Sequence, residues 1–412
     1  MIQYFKHKLN NGLTVLAEQD KSTALCAINV LYKVGSKNEE KEKTGFAHLF
    51  EHLMFGGSTH AEEFDNIIQN AGGECNAFTN SDYTNYYEVL PAENIETALW
   101  VEADRMANLK LNEETLAIQK KVVIEEFREV CLNKPYGDNW HLLSALAYQS
   151  HPYNWPTIGK ELAHIARAEI GDVAHFYNKF YTPSNAILTV SGPHEVDKVF
   201  DLVEKWFGSI DSGIQIQQTF SHEDPQKSYR YHLAKARVPF SQFIGGCHMP
   251  GRNDSEYYAC DLLSDILANG KSSRLYRRLV RDKKIMTSVD CYLTGTVDPG
   301  LIIFEGRPTA EFNVTQALDE IWNEVREISN NPPDQRELQK VKNKVISSLA
   351  ISDLTILNKA ISMAYFEWLG AIDLMNEQEK MYHNVQIQDV IEVAGKYLNK
   401  DLFSLVEYQP QQ

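Results

Sequence analysis

Apolar and polar positions alternate from the start of the chain. Lys8 to Leu16 reads as a β-hairpin turning at Asn11 and Gly12. Ala24 to Val34 is a more continuously apolar β run, which predicts a central strand. A charged loop, Gly35 to Lys43, leads into Gly45 to Gly56, where Phe46, Leu49, Phe50, Leu53, Met54 and Phe55 lie nearly all round a helix, the pattern of a buried one. Phe64 to Ala71 predicts a short helix closed by Gly72 and Gly73. Glu74 to Leu90, aromatic and β-branched about Asn80, Ser81 and Asp82, predicts a second hairpin. From Glu93 to about Tyr181 the period turns helical. Past a Gly/Ser/Gln-rich stretch, Gly208 to Gln226, the order repeats: a strand run from Phe240 to Met249, helices at Glu256–Ala268 and Ser273–Lys283, strands near Ser288 to Gly306, and helices from Val314 onward. A chain of 412 residues is too long for one ordinary core, so two or more domains are expected.

The helix at 45–56 carries the chemistry. His48, Glu51 and His52 stand at i, i+3 and i+4, which puts the three side chains on one face within a turn of each other. Two neutral imidazoles at that spacing can take two corners of a tetrahedral Zn²⁺ site, and a carboxylate between them can deprotonate water. His-x-x-Glu-His is the inverse of the common metallopeptidase order. The bland reading, polar decoration of an amphipathic helix, sits badly with apolar neighbours on nearly every side. A third protein ligand is still missing. Projecting Leu116 to Val130 at about 100° per residue places Leu116, Val122, Val123, Phe127 and Val130 on one face, with Glu126 inside it and Glu125 and Glu129 toward its margin. Glu126 is therefore the candidate ligand and Glu129 the fallback; the competing account of Glu126 is a buried ion pair.

Charge and composition narrow the field. A net charge of −16 argues against a nucleic-acid surface. No stretch reaches membrane-spanning length and the first residues lack a leader pattern, which predicts a cytoplasmic protein without membrane partners, or a periplasmic one if a leader has been removed. The six cysteines have no C-x-x-C spacing, so no thiolate site or disulfide framework is expected.

These motifs together resemble the M16 family of zinc peptidases, the group of pitrilysin, insulin-degrading enzyme and the mitochondrial processing peptidase. The likeness runs from Asn11, Gly12 and Leu13 through Gly45, His48, Glu51, His52 and Phe55, then Gly72, Gly73, Asn76, Ala77 and Thr79. It continues with Val122, Val123, Ile124, Glu125 and Glu126, then Phe180, Tyr181, Pro183, Asn185 and Gly192. The resemblance implies Zn²⁺ held by His48, His52 and Glu126, with Glu51 as general base. It also implies an α+β fold of two similar domains, each a mainly antiparallel sheet covered by helices. On this sequence the domains would be a zinc-bearing 1–210 and a non-catalytic 227–412 joined by a linker at 211–226, with no His-x-x-Glu-His in the second. The activity implied is hydrolysis of unfolded or extended peptides inside a closed chamber, with Asn76, Ala77, Phe78 and Thr79 forming the edge strand to which substrate adds. A leader-processing peptidase and a catalytically inactive structural subunit are the alternatives.

Two departures stand out. Where relatives often carry an auxiliary acid two turns before the third ligand, this chain has Gln119, which could hydrogen-bond behind the ligands. Active members also carry an Arg and a Tyr seven residues apart in the second domain. Aligning on Gly270 to Leu275 puts those positions at Val280 and Thr287, with Arg281 one residue away. The missing pair predicts a heterodimer with a zinc-less M16 subunit, the alternative being a homodimer.

Overall fold

The computed structural model describes residues 1–214, 216 and 219–411, so the expected linker falls partly outside the described residues, at Gln215, Gln217 and Gln218. The chain forms two compact units. The first comprises Met1–Phe127, Trp155–Phe220 and Ala350–Glu377; the second comprises Arg128–Asn154, Ser221–Leu349 and Gln378–Gln412.

The first unit holds a six-stranded sheet of β1 (Tyr4–Lys8), β2 (Thr14–Gln19), β3 (Leu25–Tyr32), β4 (Glu74–Thr79), β5 (Thr84–Pro91) and β6 (Ala186–Gly192), in the order β1-β2-β6-β3-β5-β4. All neighbours are antiparallel except β2 and β6. Both hairpins and the interior place of β3 agree with the pattern of the sequence. Helices α1 (Phe46–Leu53), α2 (Phe64–Asn70), α3 (Ile95–Asn108) and α4 (Glu113–Phe127) belong to this unit, α5 (Asn139–Ala147) to the other, and α6 (Leu162–Ala166), α7 (Ile170–Phe180) and α8 (Val196–Phe207) again to the first.

Side chains alternate across the sheet, so one face sends Val15, Ala17, Ile28, Val30, Leu188 and Val190 into a core with α1, α3, α7 and α8. The opposite face, with Leu16, Leu31 and Ile187, is equally apolar and needs cover of its own.

The second unit has the five-stranded sheet β7-β11-β8-β10-β9, made of β7 (Arg230–Ala236), β8 (Gln242–His248), β9 (Met286–Leu293), β10 (Leu301–Pro308) and β11 (Ser404–Pro410). Only β7 and β11 run parallel. Its helices are α9 (Tyr257–Ala268), α10 (Val314–Asn330), most of α11 (Gln335–Ser352) and α14 (Ile387–Tyr397). The expected helix at Ser273–Lys283 is present but wound as a π-helix over Tyr276–Asp282. Strands β7 and β11 have no counterpart in the sequence reading, since each is a single short run without a hairpin partner beside it.

The two units are not the contiguous stretches 1–210 and 227–412. Helix α12 (Ile356–Trp368) belongs to the first unit, where Met363, Ala364 and Phe366 cover Leu16, Leu31 and Ile187; α13 (Leu374–Asn384) starts in the same unit. In the second unit, Leu143 and Ala147 of α5 pack on Ile244, Leu301, Ile303 and Val406. Each sheet thus has its second face sealed by a helix from the other half of the sequence, because an uncovered apolar face would forfeit about 1.5–3 kcal/mol for each large side chain left in water.

Docking of α12 is also polar. Lys359 reaches Glu18 at 3.1 Å and Asp20 at 2.6 Å, all three largely buried, and Thr189 Oγ1 donates to the Ala360 carbonyl at 2.8 Å. Lys359→Met, which strands two carboxylates, is expected to cost about 3 kcal/mol of stability at neutral pH. The hydrogen bond from Lys359 holds the Asp20 carboxyl down to about 2. A folded-state value below the unfolded one, about 3.9, means stability present above that value and lost as pH falls through about 2. Denaturant unfolding of both proteins should therefore converge in strong acid; equal stability at pH 7 would show that Lys359 contributes nothing.

Candidate metal centre

Helix α1 divides cleanly. Phe46, Ala47, Leu49, Phe50 and Leu53 are buried in the core, while His48, Glu51 and His52 occupy the half-buried strip. The expectation of a helix buried on every side is corrected here: the three polar side chains use the only face that the core leaves open. Gly45, at φ +87°, opens the helix where a Cβ would meet Ile165 Cδ1 at 2.9 Å and the Ile158 carbonyl at 3.0 Å.

Helix α4 packs against α1 and supplies the third group. His52 Nε2 stands 3.3 Å from His48 Nε2, and Glu126 Oε2 lies 3.4 Å from His52 Nε2 and 3.6 Å from His48 Nε2. In a tetrahedral site with metal–ligand bonds of about 2.0–2.1 Å, ligand atoms stand about 3.3–3.4 Å apart, so the triangle has the size that Zn²⁺ requires. Among the described residues this is the group of three that could hold a metal ion.

Protonation fits as well. Burial holds the His48 imidazole below its ordinary pKa, with Glu126 pulling the other way. A hydrogen bond with His52 holds the Glu126 carboxyl below its ordinary value against partial desolvation. A neutral imidazole and an ionised carboxylate are the forms that bind a cation. His48 Nδ1 is buried with no hydrogen-bond partner among the described residues, so no hydrogen bond there fixes the tautomer of that ring.

Glu126 joins the histidines although the projected face does not survive intact. Leu116, Val123 and Phe127 are buried, but Val122 and Val130 are each 44% exposed. The α-helix ends at Phe127 and passes into a π-helical turn, Arg128–Asn133, so a 100° projection no longer holds at Val130. Glu129, in that turn, is exposed and outside the group; Gln119 is half-buried and makes no hydrogen bond to His48, His52 or Glu126. Glu51 makes no hydrogen bond among the described residues, while Tyr86 and Tyr181 lie close enough to feel its charge.

Asn76, Ala77, Phe78 and Thr79 fall on β4, the outermost strand of its sheet, paired on one side with β5 and packed against α1. The Ala77 amide donates to Asn76 Oδ1 at 2.8 Å instead of to β5, so it points out over the open edge. By the alternation of an antiparallel strand, the main chain of Cys75 and Thr79 faces the same way. In the second unit, Val280 is half-buried against its core, Thr287 Oγ1 donates to the Arg307 carbonyl at 3.1 Å, and Arg281 pairs with Asp282 at 2.7 Å.

Comparison with known proteins agrees with this anatomy. Residues 14–161 match the family model described as Insulinase (Peptidase family M16), and residues 168–345 match that of the Peptidase M16 inactive domain. The zinc protease PqqE of Helicobacter pylori is 29% identical over 412 residues, covering 98% of this chain and 92% of that protein. The uncharacterized zinc protease YmxG of Bacillus subtilis is 28% identical over 354 residues, 84% of each chain. A crystal structure of a protease from Helicobacter pylori matches with a TM-score of 0.93 and 27% identity, covering 100% of both chains. With both of its models matched in sequence order, and a relative and a solved fold alike over nearly the whole length, the chain belongs to peptidase family M16.

Proposed function

We propose that the chain is a zinc metalloendopeptidase acting on extended peptides. The observation that carries this reading is the donor triangle of His48, His52 and Glu126 beside an uncommitted Glu51 on the same strip of α1. When bound, Zn²⁺ supplies Lewis acidity, polarising the scissile carbonyl and acidifying water. Glu51 takes the proton of the attacking water and hands it to the leaving amine. The substrate lies along the open edge of β4, pairing with the outward main chain of Cys75, Ala77 and Thr79; Asn76 then gives up the Ala77 amide. Only a chain segment without its own strand partners can pair this way, which favours unfolded substrates.

The positions aligned with the expected Arg and Tyr do not offer that pair: Val280 packs against the core of the second unit, Thr287 donates to the Arg307 carbonyl, and the adjacent Arg281 pairs with Asp282. The partner is therefore proposed to be a zinc-less M16 chain carrying that pair. Metal analysis and cleavage of an unfolded reporter peptide test both statements. About one zinc per chain is expected. Hydrolysis should stop with a chelator and return with zinc, and should rise when an M16 chain lacking His-x-x-Glu-His is added. Absence of zinc, or absence of cleavage with and without such a chain, overturns the peptidase; full turnover alone, unchanged on addition, overturns the heterodimer.

A further inference from the structure

The loop between β3 and α1 does more than connect. Gly35 lies so close to the β4–β5 turn that a Cβ there would meet the Asn80 carbonyl oxygen and the Asp82 nitrogen at 2.5 Å. Only glycine permits that approach. The Ser36 and Lys37 amides donate to the Asn80 and Ser81 carbonyls at 3.1 and 2.9 Å. Lys37 Nζ meets Asp82 Oδ1 at 2.7 Å, with both side chains over nine-tenths buried, and lies 5.1 Å from the centre of the Phe220 ring. One end of the loop is therefore fastened to the turn that directly follows β4.

The other end is fastened to the metal helix. Glu39 is buried, and its Oε2 accepts from the Gly45 amide at 2.9 Å and the Trp155 indole at 3.0 Å, its Oε1 from the Ala47 amide at 2.8 Å. The same indole donates to the Ser36 carbonyl at 3.1 Å, closing the loop on itself. Burial pushes the Glu39 carboxyl up to about 8, against the downward pull of the Ala47 and Gly45 amides and the indole. All three partners donate, so they favour the ionised form in opposition to burial. Ala47 immediately precedes His48, and Thr79 immediately precedes Asn80. Five consecutive residues thus bridge the open-edge strand and the helix with the candidate base.

We propose that Glu39 is a positioning residue, and that residues 35–39 brace α1 against β4 so that a peptide paired on β4 presents its scissile bond to Glu51. This rests on the peptidase reading above and adds a role for groups that touch neither the metal donors nor the substrate. A brace of this kind acts on the geometry of the reacting groups rather than on either binding event, and a displacement of about 1 Å there can cost about 10²-fold in rate.

Two variants decide it, each assayed on folded protein with zinc content, KM and kcat measured for one extended reporter peptide, in the presence of the partner if activity needs it. Glu39→Gln turns an amide donor toward the helix amides; Asp82→Asn weakens the other fastening. The expected result is kcat lowered at least about tenfold, with KM within about twofold and zinc unchanged. If Glu39→Gln does not fold, Asp82→Asn with the same split carries the test alone. Wild-type kcat in both variants overturns the brace, as does loss of zinc from a folded Glu39→Gln, which would make Glu39 part of metal-site assembly. Neither result touches the peptidase reading, which fails only if the wild-type chain lacks zinc, or lacks hydrolysis both with and without the partner.

Discussion

Glu51→Gln is expected to leave about one zinc per chain and to lower turnover of an extended peptide by about 10³-fold, within the range over which a positioned acid–base group contributes. Glutamine keeps the shape of the neutral acid but cannot take a proton. The three donor atoms close their triangle without Glu51, and among the described residues its side chain makes no hydrogen bond whose loss would disturb α1. KM should change little, because on the proposed reading the peptide is held along β4 by main-chain pairing. Metal analysis beside kcat and KM checks the split: a variant that loses its zinc would make Glu51 a ligand, and one with wild-type turnover would place the base elsewhere.

Glu126→Gln should remove both metal and activity. Losing a group that merely supports a ligand weakens metal binding by about 10–100-fold, so losing the anionic ligand itself should exceed about 10²-fold. Two imidazoles on one helix cannot close a site for a catalytic ion. Glu129→Gln is the matched control, since Glu129 is exposed in the π-helical turn and should leave zinc and turnover alone. Titration of the apo-proteins with zinc separates the two; metal retained by Glu126→Gln and lost by Glu129→Gln would move the site one turn along.

The parts legible in the sequence were those whose signal is local. His48, Glu51 and His52 are fixed by spacing within one helix, and both hairpins of the first sheet by their turn residues. Glu126 was legible as a candidate because it falls among apolar positions, although Val122 and Val130 are exposed; a period of 3.6 cannot anticipate the π-helical turn that follows. Glu39 was not legible. It sits in a charged loop beside Glu40 and Glu42, and nothing in that run distinguishes the carboxylate that reaches the amides of α1 from those that face water. Strand β11 and the destinations of α5 and α12 were also hidden, because hydrophobic periodicity reports that a helix has an apolar face, not which sheet receives it.

The exchanged helix α12 has a consequence for the order in which the protein can be made. A ribosome delivers the six strands of the first sheet by Gly192, yet the helix that seals their second face ends at Trp368, 176 residues later. At about 5–20 residues per second the nascent sheet waits on the order of 10–30 s with Leu16, Leu31 and Ile187 in water. Lys359, which clamps Glu18 and Asp20, arrives in the same late segment, as does Asn376, which binds the main chain of Ile2. Vectorial synthesis therefore cannot finish the unit with the candidate metal site before most of the second has been made, and the half-built sheet keeps an apolar face exposed throughout that interval.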